Sequence, residues 1–296
     1  MARLRHLLAP ALRGTHRLAR LGRPHDGRFR ALLFHDISDY DLAAFDRLIG
    51  YIATEHGTLT PEEATAWLER GPPPRPNSAS WKAPCLLTFD DGFASNFQVA
   101  NSILNHHGVK ALFFVCPGLT DLSGEAQRAA VAERVFEGRI GPESLPPSTR
   151  LMTWDELAQL KQNGHEIGCH GMLHRRLSEL QPVDLAEEII TAADLMDERL
   201  SQTTRWYAYA FGDIGSINTA ALGVIASRFR HCRSGLRGAN GADGDAMAVS
   251  ADSISPAAPL PYQKLLLEGG LDFLYSKRRR HLSVIATKAL SHHGAT

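Results

Sequence analysis

The chain is poor in cysteine and has no net charge. Cys85, Cys116, Cys169 and Cys232 are its only four cysteines; they are widely spaced and form no CxxC pair. This excludes a disulfide-stapled small fold or a cysteine-rich zinc module, and the thiols read as reduced core residues. Thirty-two Lys plus Arg balance 32 Asp plus Glu, so no global field gathers nucleic acid, which is not expected as a partner. No run of about 18 apolar residues occurs, and the arginine-rich start lacks an unbroken hydrophobic segment long enough for export. Neither a membrane span nor a secretory signal is read, and the expected location is cytoplasmic. No internal repeat is evident. What is present is ordinary globular composition, 44% hydrophobic and 22% charged over 296 residues, enough for a sizeable core in two domains or in one α/β barrel.

Short apolar segments alternate with longer helical patterns. The strand candidates are Ala31 to Phe34, Cys85 to Phe89, Ala111 to Cys116, Glu166 to Cys169, Tyr207 to Phe211 and Phe229 to Cys232, and the rhythm predicts a parallel sheet or barrel. Thr60-Pro61 with Glu63, and Thr153 with Glu156, form capping boxes that start two helices. Asn96 to His107 and Asp155 to Asn163 read as helices stopped by Gly108 and Gly164. Pro72, Pro73, Pro74 and Pro76 form a stiff connection, and Gly235 to Pro261 reads as a long loop. Leu4, Leu7, Leu8, Leu12, Leu18 and Leu21 lie among arginines at the start. That pattern fits a basic amphipathic helix in peripheral contact with an anionic membrane, and equally a frayed, solvated extension. A second basic run, Lys277 to Arg280, follows a helical-looking stretch and reads as a solvated helix end or as part of the same surface.

The chemistry collects at strand ends. Cys85-Leu86-Leu87-Thr88-Phe89-Asp90-Asp91-Gly92 ends an apolar strand in two adjacent carboxylates. Their repulsion is relieved by a cation or a shared proton, which suits a metal ligand beside a general base; an ordinary surface turn is the plainer account. Gly168-Cys169-His170-Gly171-Met172-Leu173-His174 sets two imidazoles four residues apart, a spacing that suits zinc but that arises by chance roughly 0.7 times in a chain with this many histidines. Ala31-Leu32-Leu33-Phe34-His35-Asp36 again delivers titratable groups after a strand. Tyr207-Ala208-Tyr209-Ala210-Phe211-Gly212-Asp213 ends in a glycine turn whose backbone amides can face a ligand, although aromatic packing explains the side chains equally well.

Thr88-Phe89-Asp90-Asp91-Gly92 and His170-Gly171-Met172-Leu173-His174 resemble, in order and spacing, the first two motifs of the NodB-type polysaccharide deacetylases, carbohydrate esterase family four. Leu151 to Leu157 and Gly164 to Gly168 look like the segment before the family's histidine motif. The likeness covers about residues 30 to 275 and is densest from 84 to 213. The resemblance implies a distorted, incomplete (β/α) barrel in which Asp91, His170 and His174 bind a divalent metal, usually zinc, and Asp90 is the general base. Phe211 matches the position whose backbone amide holds the oxyanion, with Tyr209 beside it. The implied reaction is removal of an N-acetyl group from a carbohydrate.

The leaving nitrogen needs a proton. Relatives take it from a Leu-x-His histidine on a late strand, whereas here Leu290-Ser291-His292 lies in an unstructured-looking tail. Leu33-Phe34-His35 carries that pattern at the other end. A barrel is circular, so the first strand can stand in for the last, and His35 is the expected acid. The family's third motif often has an arginine and a proline where this chain has Ala208 and Ala210, and its Asp-Trp motif is not evident. Arg237 is the expected substitute for that arginine. The leading reading is a metal-dependent deacetylase of an N-acetylated glycan or lipid-linked sugar in polysaccharide or envelope synthesis. A small non-sugar amide as substrate, or a glycan-binding relative without turnover, are the alternatives. The expected division is a basic extension at 1–27, a barrel domain at 28–280 and a tail at 281–296.

Overall fold

The computed structural model describes residues 2–20, 27–73, 82–146 and 148–293. Pro74 and Pro76 of the proline-rich connection, and Leu21 and Arg23 of the basic start, lie outside the described residues.

Eight strands form one sheet: β1 (Arg30–Phe34), β2 (Thr58–Leu59), β3 (Cys85–Phe89), β4 (Ala111–Val115), β5 (Glu166–Cys169), β6 (Trp206–Ala208), β7 (His231–Arg233) and β8 (Ala251–Ser253). All pair in parallel, in the order β7-β6-β5-β4-β3-β1-β8, with β2 added beside the start of β3. Between β7 and β8 the sheet is joined by an isolated bridge, Arg233 to Val249. The result is a nearly closed barrel with one unsealed seam, the incomplete (β/α) barrel that the strand rhythm and the resemblance led us to expect.

Twelve α-helices accompany these strands among the described residues: α1 (Ala2–Arg20), α2 (Leu42–Glu55), α3 (Pro61–Arg70), α4 (Ala94–Val99), α5 (Pro117–Thr120), α6 (Gly124–Ala130), α7 (Trp154–Gln162), α8 (Pro182–Ala186), α9 (Ala192–Leu200), α10 (Thr219–Arg228), α11 (Leu260–Leu267) and α12 (Ser276–His293). Both expected capping boxes are formed: Thr60 and Glu63 start α3, and Thr153 and Glu156 start α7. The helix expected from Asn96 is split, α4 passing into a π-helical turn at Ala100–Leu104.

The period-two alternation of the strands sorts side chains into two layers. Leu32, Phe34, Cys85, Leu87, Phe89, Ala111, Phe113, Val115, Ile167, Cys169 and Tyr207 pack outward against the helices in the main core. There Phe89 stacks on Phe113 with ring centres 4.9 Å apart, and each such buried ring contributes about 1.5–3 kcal/mol by leaving water. Ala31, Leu33 and Leu86 on one side, and Leu112, Phe114, Trp206 and Ala208 on the other, fill the barrel's interior. Gly168 belongs to this inner face, where a Cβ would sit 2.7 Å from the Phe114 ring. The first residues past several strands inherit this inward direction, and that is what gathers the site.

Three expectations need correction. The segment beginning at Tyr207 leaves the sheet after Ala208 and turns, because Phe211 and Gly212 take positive φ of 66° and 63°. The long loop from Gly235 to Pro261 contains β8, whose Ala251-Asp252-Ser253 is too small and polar to signal a strand, yet pairs with β1. The stretch read as an unstructured tail belongs to α12, which buries Leu282, Ile285, Ala286 and Ala289, one helical face.

Candidate active site

Asp90 and Asp91 follow β3 directly, and the turn holds Asp91 and Gly92 at positive φ, 69° and 76°. For a non-glycine residue that conformation is costly and is a feature of functional turns. Asp90 continues the inward parity of Leu86 and Thr88, and the Thr88 hydroxyl donates to the Leu32 carbonyl on β1. β5 delivers His170 with the same parity, and the following turn brings His174 back at φ 57°. Asp91 Oδ1 lies 3.5 Å from His170 Nε2 and 3.3 Å from His174 Nε2. The three ligand atoms fall within 4.8 Å of one another and all three residues are buried.

Both imidazoles are oriented from behind. His170 Nδ1 lies 2.7 Å from the Ala208 carbonyl and His174 Nδ1 3.1 Å from the Arg134 carbonyl. Donation to those carbonyls commits the Nδ1 protons and leaves both Nε2 atoms facing Asp91, the tautomer that a metal ligand needs. Burial pushes the Asp91 carboxyl up, but hydrogen bonds from His170 and His174 outweigh it and hold the group well below the usual carboxylate range. Burial likewise lowers His170, and the charges of Asp90 and Asp91 more than reverse it, so its pKa is raised. An ionised carboxylate facing two imidazoles is a donor set suited to a divalent cation.

Asp90 lies 3.7 Å from His170 Nε2. Its two oxygens accept hydrogen bonds from Nη2 of Arg233, a side chain 1% exposed at the end of β7. Arg233 is also stacked over Phe114, 4.9 Å from the ring centre. Arg237, the expected partner for the base, is elsewhere: it donates to the Ser253 carbonyl and faces Asp252 at 3.7 Å. The correction follows from register, since Arg233 ends a strand with its side chain in the barrel while Arg237 lies four residues on, alongside β8. Sequence reading missed Arg233 by ending that strand candidate at Cys232; the signal was a charged residue at a strand end, the same one that marked Asp90 and His170.

These groups face a hollow of about 420 Å³ lined by Leu33, His35, Asp36, Asp90, Asp91, Phe93, Val135, Phe136, His170, His174, Phe211, Gly212, Gly235 and Ser253. His35 follows β1 and is exposed at this hollow. Phe211 packs its ring 4.7 Å from that of His174, with the Arg176 guanidinium 4.3 Å over its centre. Tyr209 is placed differently from the expectation. It carries the outward parity of Tyr207, is buried in the core, and donates its hydroxyl to the Gly212 carbonyl at 3.2 Å. It braces the turn and does not line the hollow.

The family model described as polysaccharide deacetylase matches residues 79–226, which is half of the chain. The protein belongs to the polysaccharide deacetylase family. The family match spans β3 to β6 and therefore Asp90, Asp91, His170, His174 and the Phe211 turn; β1 with His35 and β7 with Arg233 fall outside it. The chain is 27% identical over 155 residues to the Bacillus subtilis (strain 168) protein YxkH, named as a polysaccharide deacetylase; the match covers 52% of this chain and 44% of that relative's length. In fold it is similar to the Streptococcus pyogenes deacetylase PplD in complex with acetate (TM-score 0.61, 20% identity, 81% of this chain and 98% of that one). It is also similar to IcaB from Ammonifex degensii (TM-score 0.61, 19% identity, 84% and 97%) and to a de-N-acetylase from Aggregatibacter actinomycetemcomitans (TM-score 0.60, 15% identity, 81% and 99%). Members of this deacetylase family are hydrolases acting on carbon–nitrogen bonds.

Proposed function

We propose that this chain is a divalent-metal-dependent hydrolase that removes N-acetyl groups from an N-acetylated glycan or lipid-linked sugar. The observation that carries the reading is the convergence of Asp91, His170 and His174 on one point, with Asp90 clamped by Arg233 beside it. One carboxylate and two imidazoles with committed Nδ1 atoms fit a divalent cation, zinc in the first instance. Bound there, such an ion supplies Lewis acidity and makes water a nucleophile near neutral pH.

The remaining steps fall to the chain's own groups. Asp90 accepts the proton that water loses. Arg233 fixes the direction of that carboxylate and offsets its charge in a buried setting. The backbone amide of Phe211, in its positive-φ turn on the hollow, holds the developing oxyanion. His35 gives its proton to the nitrogen as the amide C–N bond breaks, so that hydroxide ends on the carbonyl carbon as acetate and the sugar leaves as an amine. Phe93, Val135 and Phe136 supply an apolar wall suited to the acetyl methyl group.

The test is acetate release from N-acetylglucosamine oligomers by protein loaded with zinc, cobalt or nickel, with Asp90→Asn as control. Release that depends on metal and is abolished in the control supports the reading. Stoichiometric metal binding without acetate from any N-acetylated sugar overturns it.

A further inference from the structure

Helix α1 is docked with its apolar side outward. Ala9 is fully buried against the body, and the residues that share its face hold the helix there by polar contacts. Arg13 and Arg17 bind the carboxylate of Glu268, which is itself 4% exposed, His16 Nε2 lies 2.8 Å from the Glu268 carbonyl, and the His6 ring packs 4.6 Å from that of Tyr262. Leu7 and Leu18 lie on the opposite face, exposed by 78% and 68%, and Leu8 and Leu12 on one flank, exposed by 48% and 39%. The usual amphipathic logic is inverted, because a helix that covers a barrel buries its leucines.

The charge of the segment points to one kind of occupant. Residues 1–25 hold six arginines and no aspartate or glutamate, in a chain whose overall charge is zero. An exposed leucine surface on a segment whose sequence is this basic matches an anionic lipid surface, where apolar burial and counter-charge attraction act together. Topology adds the direction. α11 starts past the C-terminal end of β8 and runs to the opposite end of the barrel, where Arg30 at the start of β1 pairs with Asp272 at 2.8 Å. α1 lies parallel to α11, with His6 by Tyr262 and Arg17 by Glu268. Its first turns therefore lie toward the strand C-terminal ends, where Asp90 and His170 open on the hollow.

We infer that the outward face of α1 docks this protein peripherally on an anionic membrane, with the leucines in the acyl boundary. The inference is independent of turnover and concerns binding alone. The experiment is flotation of the full chain with vesicles of phosphatidylcholine and with vesicles holding one quarter phosphatidylglycerol, for the wild type and for a variant with Leu7, Leu8, Leu12 and Leu18 all changed to Gln. These side chains touch solvent, so the thermal midpoint of the variant should match the wild type and separates lost docking from lost folding.

The wild type should float with the anionic vesicles, more weakly at high salt, and the variant should bind at least about tenfold less. A wild type that stays in solution with anionic vesicles, or a variant that floats equally well, overturns the proposal. So does a wild-type dimer in light scattering that becomes a monomer in the variant without any vesicle binding, which would make the leucine face a contact between copies.

Discussion

Asp90 and Arg233 are 143 residues apart in sequence and form a buried ion pair, the guanidinium reaching both carboxylate oxygens from the opposite wall of the barrel. Removing either partner strands a charge in the interior. Arg233→Ala should lower stability by about 3–5 kcal/mol and reduce kcat by roughly 10- to 100-fold through misdirection of the base, while zinc affinity at Asp91, His170 and His174 changes little. Urea titration, steady-state kinetics and calorimetry read the three effects separately. An Arg233→Ala enzyme with wild-type kcat and full metal occupancy would remove Arg233 from the machinery.

Register makes a sharper test available. Arg233 on β7 is the direct parallel partner of Ala208 on β6, and both face the barrel interior. Ala208 is the position where the resemblance led us to look for the arginine, so this chain has the guanidinium one strand over from the family's usual place. Ala208→Arg combined with Arg233→Ala should recover part of the activity lost in the single variant, since an arginine from either position can enter the same space. No recovery in a double variant that folds and binds zinc would show that β7 provides something more than the charge.

The legible part of the molecule was the part written in apolar runs. β1, β3 and β4 are nearly continuous hydrophobic segments, and β5 is a shorter apolar stretch opened by Gly164, so both their existence and the acids and imidazoles that follow them were readable. β8 was not, because Ala251, Asp252 and Ser253 have no strand pattern and owe their conformation to pairing with β1. The inner or outer direction of a residue depends on parity from a correctly placed strand end. An error of one position at Cys232 hid Arg233, and the overextended strand from Tyr207 left Tyr209 assigned to the hollow when parity sends it to the core. The opposite face of α1 was beyond sequence altogether: the leucines were visible, but only Glu268 decides which side they turn.

His35 lines the same hollow as Asp90, His170 and His174, but follows β1, on the other side of β3 from β5. That is the flank from which a proton can reach the leaving nitrogen while Asp90 takes one from water. His35→Ala should lower kcat by roughly 10²- to 10⁴-fold with zinc affinity unaltered. Substrates with a better leaving group than a sugar amine should be rescued most. Unchanged kcat with an occupied metal site would end the assignment.

Three histidines away from the site should make the fold sensitive to acid. His56, His165 and His231 are buried, each has one ring nitrogen without a protein partner, and burial pushes each from 6.5 down to about 4. Each binds its proton more readily unfolded than folded, so the stability it contributes is complete above about pH 6.5 and is lost as pH falls toward 4, on the order of 3 kcal/mol per residue at the limit. Asp252, pushed up to about 6 by burial, works in the opposite direction and offsets part of the loss. Urea midpoints should therefore fall between pH 7 and 4.5. His231→Phe, which keeps the stack on Trp206 seen at 4.4 Å, should flatten that fall. An unaltered pH slope in this variant would show that the ring titrates normally.

Glu188 carries no signal in sequence, being one acid among several on a helical segment, yet it holds the turn that presents His174. Its Oε1 accepts from the backbone N–H groups of Leu173 and Arg175, each at 3.0 Å, and its own carbonyl accepts from Met172. These three bonds bracket the residue at φ 57° and supply the restraint that such a conformation needs. A Cβ at Gly171 would fall 2.5 Å from the same oxygen, so the turn and the carboxylate are fitted to each other. Glu188→Ala leaves two half-buried amides without an acceptor, at about 1 kcal/mol each, and should weaken zinc binding by roughly 10- to 100-fold by releasing His174. Glu188→Gln retains an acceptor oxygen at the same reach and should bind zinc within a few-fold of wild type. Calorimetric zinc titration of both variants separates acceptor geometry from charge: an equal loss in the two would mean that the negative charge of Glu188, rather than its hold on the turn, tunes the imidazole.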